Sequence, residues 1–217
     1  MRELPRFRAA VRTWAAGGRD APAAAAVARE QAGAALTAVV LVEGVSDQVA
    51  LEALARRRHR DLVGEGVCVL PIGGAMSARR FLGILGPLSV EVRGLCDEGE
   101  ERYFRRSLEE QAGVNGGLTR SAMETLGFFV CVADLEDELI RALGVAGVER
   151  VLAAEKDLAR FRMFQNQPAQ RGRPAERQLR RFLGTTSGRK ARYARVLVDA
   201  LEPDRIPRPL DRVLATV

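Results

Sequence analysis

From residue 36 to residue 144 the chain alternates short apolar runs with longer amphipathic stretches in a β-α-β-α rhythm. The apolar runs at 37–42, 67–72, 90–96 and 128–132 predict four strands, and the stretches at 46–58, 77–85, 100–111 and 135–143 predict helices. A loop and short helix at 119–126 are expected before the fourth strand. Such alternation calls for an α/β fold with a mainly parallel four-stranded sheet, because each parallel connection must cross the sheet before the next strand begins. Chemistry in such sheets collects at the carboxyl ends of the strands, where loops enter helices.

Three of the four strand exits deliver acids. The first runs into Glu43-Gly44-Val45-Ser46-Asp47, the third into Asp97-Glu98-Gly99-Glu100-Glu101, and the fourth into Asp134-Leu135-Glu136-Asp137-Glu138. The second ends in Gly73-Gly74, which lets backbone approach a ligand or a neighbouring loop closely. Gly44 is expected to permit a tight exit from the first strand and Ser46 to cap the following helix. One acid in the first turn of a helix simply satisfies the dipole and the free amides. Three such groups on one edge, with no lysine nearby in sequence, repel one another, and a divalent cation is the simplest compensation. Carboxylates without histidine or cysteine suit Mg²⁺ or Mn²⁺.

Other chemistries have little to work with. His59 sits in the run Arg56-Arg57-Arg58-His59-Arg60 and reads as a solvated surface residue. Cys68, Cys96 and Cys131 lie inside apolar runs and read as small buried hydrophobes in a reducing compartment. The longest apolar run is too short to span a bilayer and there is no cleavable leader, so a cytoplasmic protein without membrane contact is expected.

The flanks differ from the middle. Residues 1–35 form a helical N-terminal extension in which Leu4, Phe7, Val11 and Trp14 share one face, Gly17-Gly18 makes the break and Asp20 is placed to cap the second helix. Residues 145–217 form a basic helical segment, where Glu176 is the only acid between Phe161 and Arg195. The whole chain carries 34 lysines and arginines against 28 acids, a formal charge of +6. Arg173, Arg177, Arg180, Arg181, Arg189 and Arg192 are expected to contact the phosphates of a nucleic acid without reading bases. Aromatic residues are few, so base stacking is not indicated, with Phe164 and Tyr193 as the available contributors. Lysine occurs only at Lys156 and Lys190, and its use at Lys190 amid arginines points to a need for a compact ammonium.

The spaced set Glu43-Gly44-Val45-Ser46-Asp47, Gly73-Gly74 and Asp97 resembles the TOPRIM fold of topoisomerases, primases and several nucleases. With Asp134-Leu135-Glu136 and the basic C-terminal segment, the chain is most similar, over about 36–201, to the TOPRIM half of the overcoming-lysogenization-defect (OLD) nucleases. The resemblance implies a Rossmann-like TOPRIM domain at 36–144, completed as a nuclease-like unit by 145–217. It implies that Glu43, Asp47 and Asp97 hold a principal Mg²⁺ or Mn²⁺ ion and that Glu43 doubles as general acid or base. Asp134 and Glu136 would serve a second ion, and Lys190 would offset charge on the phosphate. The implied activity is metal-dependent endonuclease cleavage of DNA phosphodiesters.

Two departures qualify the likeness. Gly99 stands where TOPRIM domains usually carry a second acid, with Glu100 and Glu101 as the nearest replacements. No Gly-x-x-x-x-Gly-Lys-Ser/Thr loop is present, so a stand-alone domain is expected, without an ATP site and with any ATPase on a separate partner. The alternatives are a catalytically weakened nucleic-acid-binding module, a primase-like nucleotidyl transferase and, more remotely, a small-molecule phosphate hydrolase. A homodimer would suit cleavage of both strands of a duplex.

Overall fold

The computed structural model describes residues 3–114, 116–184 and 188–217. Strands β1 (Ala38–Val42), β2 (Val67–Pro71), β3 (Glu91–Asp97) and β4 (Phe128–Cys131) form one all-parallel sheet in the order β2-β1-β3-β4. Each strand lies within a residue of the run that predicts it. All five residues of β1 are buried, because helices cover both sides of this central strand.

The helices are α1 (Glu3–Ala16), α2 (Ala21–Ala35), α3 (Val45–Arg57), α4 (Ala78–Leu85), α5 (Glu101–Ala112) and α6 (Arg120–Thr125), followed by α7 (Leu135–Ala154), α8 (Leu158–Gln165), α9 (Ala175–Gly184), α10 (Arg189–Asp199) and α11 (Arg208–Ala215). Two cores form on opposite faces of the sheet. Phe7 and Val11 of α1, Phe81 of α4 and Phe104 of α5 pack under one face. Leu51 and Leu54 of α3, Leu139 of α7, Phe161 of α8 and Tyr193 of α10 pack under the other. Fully burying side chains of this size stabilises the fold by roughly 2 kcal/mol each. The terminal helical segments are thus the two outer layers of the sheet.

The strand order creates a switch point between β1 and β3. From β1 the chain leaves into α3 on one face, and from β3 into α5 on the other, so a crevice opens between the two exits. Glu43 and Asp97 stand on its two sides. Helix α7 is broken at Gly144, whose backbone (φ 71, ψ 162) lies in a region closed to residues with side chains. The predicted helix over 135–143 therefore ends where the sequence indicates, and a second half resumes toward α8.

Two polar knots hold the basic segment, one within it and one to α3. Buried Asp157 accepts hydrogen bonds from the Tyr193 hydroxyl at 2.9 Å and from Arg160 at 2.9 Å, and pairs with Arg192 at 3.4 Å. At the end of α3, Arg57 donates to the Leu201 carbonyl at 2.6 Å and also to that of Val198, satisfying acceptors at the C-terminal end of α10.

Some local expectations change. Gly44, not Ser46, holds the N-cap position of α3, and Ser46 is buried inside the helix. Asp20 occupies the N-cap of α2 but its side chain accepts no capping bond. Phe164 and Tyr193 are buried, so neither presents a face for a base to stack on. His59 is exposed and the three cysteines are buried and unpaired, as expected. Among the described residues, no helix is long and apolar enough to cross a membrane.

Candidate active site

The carboxyl edge of the sheet gathers the predicted acids into one corner. Glu43 leaves the end of β1 and its carboxylate accepts the Asp97 backbone N–H at 2.8 Å, tying the two sides of the crevice together. Asp47 sits in the first turn of α3 and accepts the Gly44 N–H at 2.8 Å. Gly44 has an extended backbone (φ −137, ψ 179) open to any residue, so its contribution is its amide. Gly73 and Gly74 do use positive φ, 74° and 107°, and both amides donate to the Glu43 carbonyl at 3.0 and 3.1 Å. That pair fastens the exit of β2 to the exit of β1.

The exit of β4 supplies the rest. Ala133 adopts a left-handed backbone (φ 62), after which Asp134 caps α7 by accepting the Asp137 N–H at 2.8 Å. Buried Glu138 holds the turn by accepting the Val132 N–H at 2.8 Å. Glu136, in the first turn of the helix, is only 5% exposed; Lys190 contacts its Oε2 at 2.9 Å, while its Oε1 is sealed from solvent with no hydrogen-bond partner. The expectation of acids unbalanced by lysine is therefore corrected: α10 brings Lys190 to them from far along the chain.

The charges respond to this crowding. Burial, aided by the carboxyl of Glu100 and the charge of Asp97, pushes Glu43 up to about 9. Burial and then the charges of Asp47, Asp134 and Glu136 raise Asp97 to about 7. Asp47 is raised to about 6, chiefly by burial and against the pull of the Gly44 amide. Glu136 is raised by burial although Lys190 draws it back. For Lys190 burial acts downward, but Glu136, Asp47 and Asp134 outweigh it and keep the ammonium charged.

Beside the corner lies an open groove of about 650 Å³ lined by Asp134, Glu136, Arg173, Arg177, Arg180, Arg181, Gly184 and Lys190. Four of the six predicted arginines therefore meet here. Arg180 pairs with Asp134 at 2.5 Å; Arg173, Arg177 and Arg181 are exposed and make no ion pair among the described residues. Arg189 and Arg192 do not line it. Arg189 packs over the Phe182 ring at 4.3 Å, and Arg192 pairs with Glu155 at 2.5 Å and with Asp157. A second hollow, lined by Glu43, Asp47, Gly74, Asp97, Gly188 and Lys190, covers the acidic corner itself. Lys190 borders both.

The donor set fits a hard divalent cation in its chemistry. It is all carboxylate, its members raise one another's affinity for protons, and Glu136 Oε1 is buried without a partner. Among the described residues, however, no three acidic, histidine or cysteine side chains converge into a ready-made cage. Asp47 and Glu43 are turned to backbone amides and Glu136 to Lys190.

Residues 37–98 match the family model for the overcoming lysogenization defect protein-like TOPRIM domain. This stretch is an OLD-like TOPRIM domain. The chain is also similar in fold to two solved C-terminal regions of OLD proteins. For that of Xanthomonas campestris pv. campestris the identity is 24%, covering 83% of this chain and 91% of that one, with a TM-score of 0.64. For that of Burkholderia pseudomallei it is 21%, covering 83% and 96%, with a TM-score of 0.61. No curated protein sequence matches the chain.

The matched OLD-like TOPRIM stretch contains Glu43, Asp47, Gly73, Gly74 and Asp97, whereas Asp134, Glu136, Lys190 and the groove arginines lie beyond it. The fold nevertheless brings both sets to one edge. Local sequence does not reveal that Arg180 reaches Asp134, or that Glu100 turns to the Ala75 amide, because both partners lie far away along the chain.

Proposed function

We propose that this protein is a divalent-cation-dependent phosphodiesterase of OLD type that cleaves DNA. The observation that carries the reading is the continuity of the arginine-lined groove with the acidic corner through Lys190 and Glu136. Arg173, Arg177 and Arg181 have guanidinium donors to spend on successive backbone phosphates, and sequence-independent binding follows. A strand held there lies against Lys190, which can transfer its ion pair from Glu136 to a phosphate oxygen and offset developing negative charge. Glu43, Asp47 and Asp97 would hold one Mg²⁺ or Mn²⁺ ion, with Asp134 and Glu136 available to a second. Such ions polarise the phosphate and lower the pKa of attacking water. Glu43, raised well above the ordinary carboxylate range, is suited to carry a proton near neutral pH.

A weakened binding module is the second reading, favoured by Gly99 and by the absence of a preassembled carboxylate cage among the described residues. Duplex cleavage in both strands would use two such sites, and hence a homodimer; an ATPase, if one takes part, belongs to a separate partner. The test is incubation with supercoiled plasmid, linear DNA and RNA in Mn²⁺, alongside Glu43→Ala. Metal-dependent nicking or linearisation of DNA, reduced about 100-fold or more in the variant, is the expected result. Plasmid that is bound but left intact favours the binding module, and equal cleavage by Glu43→Ala removes Glu43 from the site.

A further inference from the structure

Arg173 differs from the other arginines of the groove in what fixes it. Arg177, Arg180, Arg181 and the groove-lining Gly184 recur at helical spacing along one face of α9, so the helix itself sets their places. Arg173 precedes α9 and depends on a turn. Its N–H donates to the Gln170 carbonyl at 3.1 Å, with Gly172 between them at a φ of 79°, a backbone region that glycine enters without strain. The same Gln170 carbonyl accepts the side-chain Nε2 of Gln178 at 2.8 Å. Gln178 lies on the face of α9 turned away from the groove, buried beside Leu179, Phe182 and Leu183, and its Oε1 accepts the Nε2 of Gln165 at 2.7 Å.

We infer that Gln178 is a positioning residue for the groove: from behind α9 it holds the turn that presents Arg173 to a nucleic-acid phosphate. The inference rests on the groove reading proposed above. A carboxamide buried among leucine and phenylalanine side chains is costly unless both its ends are bonded, and here both are. An apolar side chain would fill the same place without that requirement. What glutamine adds is a bond to the carbonyl on which the Arg173 turn closes. The turn needs such a bond, because Gln170 is only 3% exposed and its Oε1 is sealed without a hydrogen-bond partner, a burial cost that the Gln178 bond offsets. Arg171 of the same turn is drawn away, its Nε donating to the Asn166 carbonyl at 2.9 Å, which leaves Arg173 as the guanidinium that the turn offers to the groove. Backbone ordered before a phosphate arrives lowers the conformational cost of the contact.

The experiment is a double-mutant cycle on the full chain, with duplex DNA binding followed by anisotropy in EDTA across a salt series for the parent, Gln178→Met, Arg173→Ala and the double variant. Methionine matches glutamine closely in volume and cannot donate to the Gln170 carbonyl. Gln178→Met should weaken binding about fivefold at low salt and lower the slope of log affinity against log salt by about 1, as Arg173→Ala does. The double variant should be no weaker than either single one, since both remove the same phosphate contact. Parental affinity and slope in Gln178→Met overturn the inference whatever its Tm, for Gln178 is then only part of the core. Losses that multiply in the double variant also overturn it, because α9 as a whole has then shifted. Should Gln178→Met not fold, Gln165→Met removes the bond that orients the Gln178 amide; it should weaken binding and show the same non-additivity with Arg173→Ala, and parental affinity there counts against the inference. Absence of DNA binding by the parent instead removes the groove reading, and this inference with it.

Discussion

Arg57, Arg58 and Arg60 at the end of α3 and Arg173, Arg177 and Arg181 around α9 are the same residue in two unlike settings. In the first, Arg57 is spent on carbonyls at the end of α10, Arg58 on Asp211, and Arg60 on Glu65 and the Leu214 carbonyl. In the second, the three guanidinium groups are exposed and unpaired among the described residues, beside a groove that ends at buried acids. A formal charge of +6 does not distinguish them. What separates a clamp from a binding surface is whether an acceptor within the fold already takes up the donor.

Replacing Arg173, Arg177 and Arg181 together by alanine should weaken duplex DNA binding about 100-fold at low salt. The slope of log affinity against log salt should fall by about 3, roughly one for each lost phosphate contact, with the melting temperature unchanged. Anisotropy titrations across a salt series read both quantities, and an unaltered slope would return these arginines to ordinary surface. Arg57→Ala should do the reverse: a loss of roughly 2 kcal/mol in urea denaturation, because two helix-end carbonyls lose a charged donor, and an unchanged salt slope.

The acids divide in the same way and give a pH test. Burial pushes Asp157 upward, but the Tyr193 and Arg160 hydrogen bonds prevail and hold it below its ordinary value, so its contribution to stability is lost as pH falls through that lowered pKa. Asp97 is raised from 3.8 to about 7, so the folded state binds the extra proton and stability falls as pH rises from about 4 to 7. Asp97→Asn should flatten the decline in that window, as followed by thermal melts in chelator, and Mn²⁺ should oppose the decline in the parent. Smallest is Arg58→Ala, which breaks one partly exposed ion pair with Asp211 and should cost about 0.5 kcal/mol. A large loss there would blur the distinction between Arg57 as a clamp and Arg58 as a minor partner.

The layered fold was legible because each strand and helix between residues 36 and 144 carries its own period, and even the end of the predicted helix at Leu143 anticipates the break at Gly144. The acids at strand exits were legible for the same reason, since parallel sheets deliver their loops to one edge. Partnership was not. Arg192 and Arg177 look alike in sequence, yet one closes on Glu155 and Asp157 while the other lines the groove, and only the packing of α8 to α10 decides which. Glu100 was ambiguous with Glu101 until a single 3₁₀ turn sent them to different neighbours.

The bend at Gly144 stands between the two sets of charges along the chain. The first half of α7 begins at the acids, and the second leads into the helices that carry the arginines. The chain path from Glu136 to the groove wall runs through this bend, while the Arg180–Asp134 and Lys190–Glu136 pairs close the same span directly. Gly144→Ala would leave every charge in the chain present and still strain the bend that joins the acids to the helices carrying the arginines.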